Sequence, residues 1–147
     1  IFKKYENNIS VEKTRFNPPF ADSLYLIYLE KKQNTHKSIK NYKSIKNSNR
    51  TELIEKINSI TYNLINCRTL SEFENLIEKH ESIISSLIGI ESIQQTTFKD
   101  YKNGKIKSLG AWGGDFILVT SKSNDLSYFR DKGLKLIFQL KDLVYLY

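Results

Sequence analysis

The spacing of apolar residues divides the chain into extended and helical segments. Short runs that are apolar throughout, or that alternate with polar residues, predict strands at residues 23–29, 105–109, 116–120 and 134–138. Apolar residues three and four positions apart predict helices at residues 35–46, from 49 to about 66, and from 71 to 88. A short helix is expected around Leu126 and Phe129, and a further edge strand at residues 143–146.

Polar residues at two points mark where long helices begin. Asn49 with Glu52, and Ser71 with Glu74, have the three-residue spacing of a capping box, in which each side chain satisfies a backbone amide of the first turn. Gly89 is placed to end the third helix in the left-handed conformation. The third helix therefore has predicted signals at both ends.

Other polar and glycine residues mark the turns of the second half. The dipeptide Asn103-Gly104 predicts a hairpin-like reversal of the chain. Asn124 or Asp125 is expected to cap the short helix, and Gly133 to end it.

The order of these elements is strand, helices, strand, strand, helix, strand. That order is the split βαβ arrangement of ferredoxin-like α+β domains, with the first crossover enlarged to several helices. We therefore expect an antiparallel sheet with helices packed on one face, formed by residues 21–147 as one domain. Residues 1–20 have weak patterning and end in a pair of prolines, so we interpret them as a connector or as the trailing edge of a preceding N-terminal domain.

Composition narrows the class of protein. The 147 residues carry a formal net charge of +7, but the lysines are spread along the chain and arginine is scarce, so no nucleic-acid partner is expected. Cys67 is the sole cysteine, which favours a reducing compartment. No apolar run approaches the roughly 20 residues needed to cross a bilayer, so we expect no membrane partner and a cytoplasmic location. The sequence begins at Ile1 and contains no methionine, which suggests a piece of a longer protein.

One segment between two predicted strands has the composition of a ligand-binding connection. Its sequence is Lys107-Ser108-Leu109-Gly110-Ala111-Trp112-Gly113-Gly114-Asp115. Three glycines within residues 110–114 exceed what a hairpin needs, because each adds backbone freedom that folding must remove. Bare amides in such a connection form a concave site for an anion such as phosphate. A tight connection with a β-bulge is the alternative interpretation.

This segment resembles the third conserved motif of the GHMP kinases, small-molecule kinases named for galactokinase, homoserine kinase, mevalonate kinase and phosphomevalonate kinase. In that motif a lysine or polar lead-in precedes Gly-Ala-Gly-Gly-Gly-Gly and an apolar strand, and the motif faces the active site from the C-terminal domain. Gly110, Ala111, Gly113 and Gly114 match it.

Trp112 and Asp115 stand where the common motif has glycines. With these two residues the segment resembles the GYDIA-type subgroup of these kinases, whose members carry a very similar Ser-Leu-Gly-Ala-Trp-Gly-Gly-Asp-Phe run. Residues 16–20, 28–34 and 76–81 also resemble that subgroup. The resemblance implies that Trp112 lies beside the nucleotide or the acceptor pocket and that Asp115 orients a hydroxyl or caps a turn.

The resemblance implies an enzyme that transfers the γ-phosphoryl group of ATP, with Mg²⁺, to a hydroxyl or phosphate of a small acceptor, mevalonate being one candidate. It also implies an N-terminal kinase domain as partner, because in the family the main ATP-phosphate loop and the catalytic groups lie there, and nothing in this chain matches that loop. No catalytic residue or metal ligand is therefore assigned here. The expected cleft-lining residues are Ser108, Gly110, Ala111, Trp112, Gly113, Gly114 and Asp115.

The alternative is a non-catalytic ferredoxin-like module that binds a small ligand or another protein. Glu74, Glu78 and Glu81 share one side of the third helix at a spacing that suits Mg²⁺, but a charged stripe of this kind is typical of a solvated face. We interpret His80 as a packed or partly exposed helix residue, and Cys67 as a poor nucleophile because no base signature lies near it.

Overall fold

The secondary structure forms two sheets and a set of helices in the part of the chain that the computed structural model describes, residues 1–5, 8–30, 50–110 and 114–143. A 3-10 turn, Ala21–Ser23, leads into the third strand. In chain order the strands and helices are β1 (Phe2–Tyr5), β2 (Asn8–Val11), β3 (Leu24–Tyr28), α1 (Arg50–Asn66), α2 (Leu70–Ile88), α3 (Ile93–Thr96), β4 (Ile106–Leu109), β5 (Phe116–Thr120), α4 (Ser127–Asp131), β6 (Ile137–Gln139) and α5 (Leu140–Leu143).

The main sheet has four antiparallel strands in the order β4-β5-β3-β6. Its first strand in the sequence, β3, therefore lies inside the sheet between β5 and β6. Ile27 of β3 is opposite Ile117 of β5 and Ile137 of β6, so apolar side chains meet across three strands. This order confirms the predicted α+β class with ferredoxin-like topology.

Both faces of the sheet are apolar. Successive side chains of a strand point to opposite sides of the sheet, and apolar residues occupy both sets of positions. One cluster joins one set of strand residues to α3, to α4 and to the segment before β4; its buried members are Tyr25, Ile27, Leu29, Phe98, Tyr101, Ile106, Ile117, Val119, Leu126 and Phe129. The other cluster joins the alternate strand residues to α1 and α2; its buried members are Phe20, Leu24, Cys67, Phe73, Ile77 and Leu118. The long helices α1 and α2 therefore pack on one face of the sheet, as expected, and the short helices α3 and α4 pack on the other face, which was not expected.

Residues 1–20 contain a two-stranded hairpin. Strands β1 and β2 pair antiparallel, with Phe2 opposite Val11. Lys3 forms an ion pair with Glu12 at 2.6 Å, and its ammonium lies 5.6 Å from the ring centre of Tyr62 on α1. The assignment of this segment to a preceding domain stays a prediction.

Both long helices end as predicted, but α2 begins at a different capping box. Gly89 ends α2 with a φ of 66°, in the left-handed region. The capping box at its start is formed by Thr69 and Glu72, so the prediction of Ser71 and Glu74 was wrong. Glu74 is instead directed into the protein, where it hydrogen-bonds Thr120.

Other sequence predictions differ from the structure in detail. The helix predicted from residue 49 is confirmed as α1, whereas Asn49 and the helix predicted at residues 35–46 lie outside the described residues. Helix α3, with its own capping box of Ser92 and Gln95, was not predicted. The edge strand predicted at 143–146 was wrong at Leu143, which ends α5, and its remaining residues lie outside the described part.

The reversal predicted at Asn103-Gly104 does not join two strands. These residues lie in a bend before β4, and the Asn103 carbonyl accepts the amide of Lys122, which extends the pairing of β4 with β5. The short helix α4 is confirmed; Asp125 accepts the amide of Ser127 at its start, and Gly133 follows its end with a φ of 84°.

Candidate functional site

The Gly-rich segment connects the neighbouring antiparallel strands β4 and β5. Gly110 has a φ of 73°, and a Cβ atom there would meet no atom of the described residues within 4 Å. A glycine is thus favoured at 110 by its backbone conformation. The central residues Ala111, Trp112 and Gly113 lie outside the described residues.

The far end of the connection is attached to the centre of the sheet. Gly114 is buried, and Asp115 is partly exposed. The backbone carbonyl of Asp115 accepts a 2.7 Å hydrogen bond from the amide of Leu29, the residue after β3. The rings of Tyr28 and Phe116 pack beside this bond with their centres 5.0 Å apart. The predicted site residues that are described therefore lie together at one end of the sheet.

Ser108 begins the connection and is buried, with 5% of its surface exposed. Its hydroxyl has no hydrogen-bond partner among the residues that the structure describes. Burying a hydroxyl without a partner costs about 1–3 kcal/mol in proteins. The start of the connection therefore contains a buried polar group whose desolvation no described hydrogen bond offsets.

Two side chains of α2 hold the residue before Ser108. The Lys107 ammonium lies 3.2 Å from Glu81 Oε1 and 3.0 Å from His80 Nδ1. Glu81 Oε2 accepts the backbone amide of Ser108 at 3.2 Å. Glu81 is 4% exposed, and a buried charge needs partners. Its partners here are the Lys107 ammonium and the Ser108 amide. The His80 prediction is confirmed, since its side chain is 19% exposed and packed against Lys107.

The outer edge of β4 is covered by side chains in place of another strand. Because Lys107 and Leu109 face β5 with their backbone groups, the amides of Ile106 and Ser108 point away from the sheet. Gln94 accepts the Ile106 amide at 2.8 Å and donates to the Gly104 carbonyl at 3.2 Å. Glu81 accepts the Ser108 amide. Both outward amides are satisfied, which closes an edge that could pair with another chain.

The glutamate stripe of α2 was predicted to be solvated, and this was wrong for two of its three members. Glu74 and Glu81 are each 4% exposed, whereas Glu78 is exposed and pairs with Lys105 at 2.8 Å. Glu74 and Glu81 are seven residues apart and flank Ile77, so they share its inward face. The phase of this pattern was the available signal for their burial.

Neither a metal centre nor a reactive thiol emerges from the described side chains. No group of three or more His, Cys, Asp or Glu in this part of the chain is arranged to hold a metal ion. Cys67 is buried and donates to the Leu64 carbonyl at 3.0 Å, and burial raises the pKa of its thiol. In the same described ranges, no helix is long and apolar enough to cross a membrane.

A surface groove of about 640 Å³ lies beside the other end of β4. Gly104 and Lys105 line it, together with lysines 99, 102 and 122. Two of its lysines are paired with carboxylates, Lys105 with Glu78 and Lys122 with Glu74. Glu81, which contacts Ser108, also lines this groove, whereas none of the described residues from Lys107 to Asp115 does. The predicted site residues therefore belong to the connection.

Four antiparallel strands in this order, with a Gly-rich connection between two neighbours, define an α+β domain of the ferredoxin-like class. No protein-family model and no curated protein matches the sequence. Among solved structures, a crystal structure of mevalonate kinase is similar over 90% of this chain, with a TM-score of 0.62 and 17% identity. The Methanococcus jannaschii mevalonate kinase is similar over 93%, with a TM-score of 0.64 and 17% identity.

The chain spans 44% and 45% of the length of these two kinases. At this identity the likeness shows a shared fold. The structure therefore has the fold of part of a mevalonate kinase.

Proposed function

We propose that this chain is the C-terminal part of a GHMP-type small-molecule kinase, of the GYDIA-type subgroup. One observation carries the proposal: within a fold similar to mevalonate kinases, the sequence that resembles the third GHMP motif connects two adjacent strands, β4 and β5. The proposed reaction transfers the γ-phosphoryl group of ATP to a hydroxyl or phosphate of a small metabolite. Catalysis of this kind depends on positioning and charge neutralisation.

The described residues fit the phosphate part of ATP, the proposed cofactor. ATP supplies the phosphoryl group, and the connection offers the left-handed backbone of Gly110, where no described atom lies within 4 Å of the position that a Cβ would take. Backbone amides in such a connection would face phosphate oxygens. The same residues provide no cluster for Mg²⁺, so we place the metal ligands and the catalytic groups in an N-terminal kinase domain of the full-length protein.

The acceptor is proposed only as a class, a small hydroxyl- or phosphate-bearing metabolite such as mevalonate. Part of the acceptor pocket would be formed by Trp112 and Asp115. A cytoplasmic location agrees with this chemistry because ATP and Mg²⁺ are abundant there.

The test uses the full-length natural protein with MgATP and a panel of hydroxyl- and phosphate-bearing metabolites, including mevalonate. ADP formation should depend on one acceptor. Gly113→Val should lower kcat about 100-fold, because misplacing a positioning group by about 1 Å has an effect of that size. Circular dichroism should show that the variant is folded.

Gly89→Val is the matched control. Gly89 has a positive φ and no described atom within 4 Å of the position that a Cβ would take, and it ends α2 and takes no part in the connection. Turnover in this variant should equal that of the wild type. The proposed function would be wrong if folded Gly113→Val showed normal turnover. It would also be wrong if the wild type formed no ADP with any acceptor.

A further inference from the structure

We infer that Glu81 of α2 is a positioning residue for the Gly-rich connection, a role that rests on the proposed function for its effect on catalysis. Glu81 lies 27 residues before Ser108 in the sequence but contacts the chain two residues before Gly110. The backbone turns into the left-handed region at Gly110. The contact therefore acts where the chain leaves the sheet.

The two carboxylate oxygens of Glu81 divide their work between backbone and side chain. Oε2 accepts the Ser108 amide at 3.2 Å, which fixes the end of β4. Oε1 lies 3.2 Å from the Lys107 ammonium, which His80 Nδ1 contacts from the other side at 3.0 Å. The Lys107 ammonium has only protons to donate, so in this contact it is the donor to His80 Nδ1. Lys107 is thus held in one orientation at the entrance to the connection.

The neighbouring edge contact shows why a carboxylate matters at this position. At Ile106 the neutral amide of Gln94 satisfies the outward backbone amide, with no cation involved. A buried carboxylate is more expensive to desolvate than an amide, so Glu81 is favoured only where its charge has a partner. That partner is Lys107, the lead-in residue of the connection. The negative charge of Glu81 therefore orients Lys107, in addition to satisfying the outer edge of β4.

The test compares Glu81→Gln with Glu78→Gln in the full-length protein. Both variants change a carboxylate of α2 to an amide, and both carboxylates pair with a lysine, Glu78 with Lys105 and Glu81 with Lys107. Glu81→Gln should lower kcat about tenfold or more with the KM for ATP little changed, because the loss falls on positioning in the transition state. Glu78→Gln should leave both constants at the wild-type values.

Amide hydrogen exchange gives a readout that does not need activity. The Ser108 amide should exchange about tenfold faster in Glu81→Gln than in the wild type, the effect expected from replacing a charged acceptor with a neutral one. In Glu78→Gln its rate should not change. In the wild type itself, the outward-pointing Ser108 amide should be protected as strongly as the amides of Lys107 and Leu109, a check that requires no variant to fold.

The outcomes separate the two proposals. Unchanged exchange of the Ser108 amide in Glu81→Gln, or an unprotected Ser108 amide in the wild type, would overturn the role of Glu81 even in an active kinase. A kcat loss as large in Glu78→Gln as in Glu81→Gln would also overturn it. A wild-type protein without phosphoryl transfer would overturn the proposed function, while exchange would still decide whether Glu81 positions the connection.

Discussion

The carboxylate of Glu74 accepts a 2.7 Å hydrogen bond from the hydroxyl of Thr120, 46 positions away in the sequence. Both side chains are buried. The same hydroxyl accepts the backbone amide of Lys105 at 2.7 Å, and the Thr120 carbonyl accepts the hydroxyl of Tyr101 at 2.6 Å. This network joins α2, β5 and the start of β4, so it fixes the helix that carries Glu81 against the sheet.

Thr120→Val should destabilise the protein by about 2–4 kcal/mol, because the buried Glu74 carboxylate keeps only Lys122 as a partner and the Lys105 amide loses its acceptor. The measurement is urea unfolding followed by circular dichroism. Thr97→Val removes a hydroxyl from an exposed position and should change stability by less than about 0.5 kcal/mol. Equal midpoints for the two variants would show that the network contributes little.

Gly104→Ala should be far more damaging than a substitution at the end of α2. Gly104 lies outside the left-handed region, but a Cβ there would lie 2.1 Å from the Thr120 carbonyl oxygen, so the backbone must move. We expect a loss of about 3 kcal/mol or more. Gly89→Ala has a positive φ but open space, and should lose only about 1–2 kcal/mol. Thermal unfolding of both variants measures the difference, and the reverse order would contradict it.

Thr69→Ala should cost about 1 kcal/mol, since the Thr69 hydroxyl accepts the Glu72 amide at the start of α2. Ser71→Ala should be close to neutral, because Ser71 already lies inside the helix and is exposed. Urea midpoints for the pair give the answer directly. A larger loss from Ser71→Ala would place the helix start two residues later.

The sequence predicted the sheet well because its strands are dense in apolar residues and lie between clear turn signals. It misplaced the start of α2 because Thr69 with Glu72 and Ser71 with Glu74 have the same spacing, and only the contact of Glu74 with Thr120 distinguishes them. Helix α3 was missed because four residues are too few to show a helical period.

The candidate site was likewise predicted only in part from the sequence. Its glycines were recognisable because an unusual local composition needs no knowledge of distant residues. The residues that hold the connection in place could not be recognised from the sequence. Glu81 contacts Ser108 across 27 positions, and Leu29 reaches Asp115 only after the strands have paired. Gly104 was identified as a turn residue, but the contact with Thr120 that requires a glycine is also long-range.

Tyr101 should make the stability of the protein fall at high pH. Burial is the main cause that raises the pKa of Tyr101 to about 12 in the folded state, from its ordinary value of 10.0. Well below pH 10 the phenol is protonated in both states, so its full contribution to the free energy of unfolding is present. As the pH rises from 10 towards 12 the unfolded chain loses the proton first, and the free energy of unfolding decreases.

Tyr101→Phe should therefore lose less stability than the wild type between about pH 9 and about pH 11, measured as the shift in urea midpoint. Burial and the hydrogen bond to Asp100 also raise the pKa of Tyr128, and an ion pair with Glu12 raises that of Lys3. These groups act in the same direction, so some pH dependence should remain in Tyr101→Phe. An identical midpoint shift in the variant and the wild type would mean that the Tyr101 phenol ionises equally easily in both states.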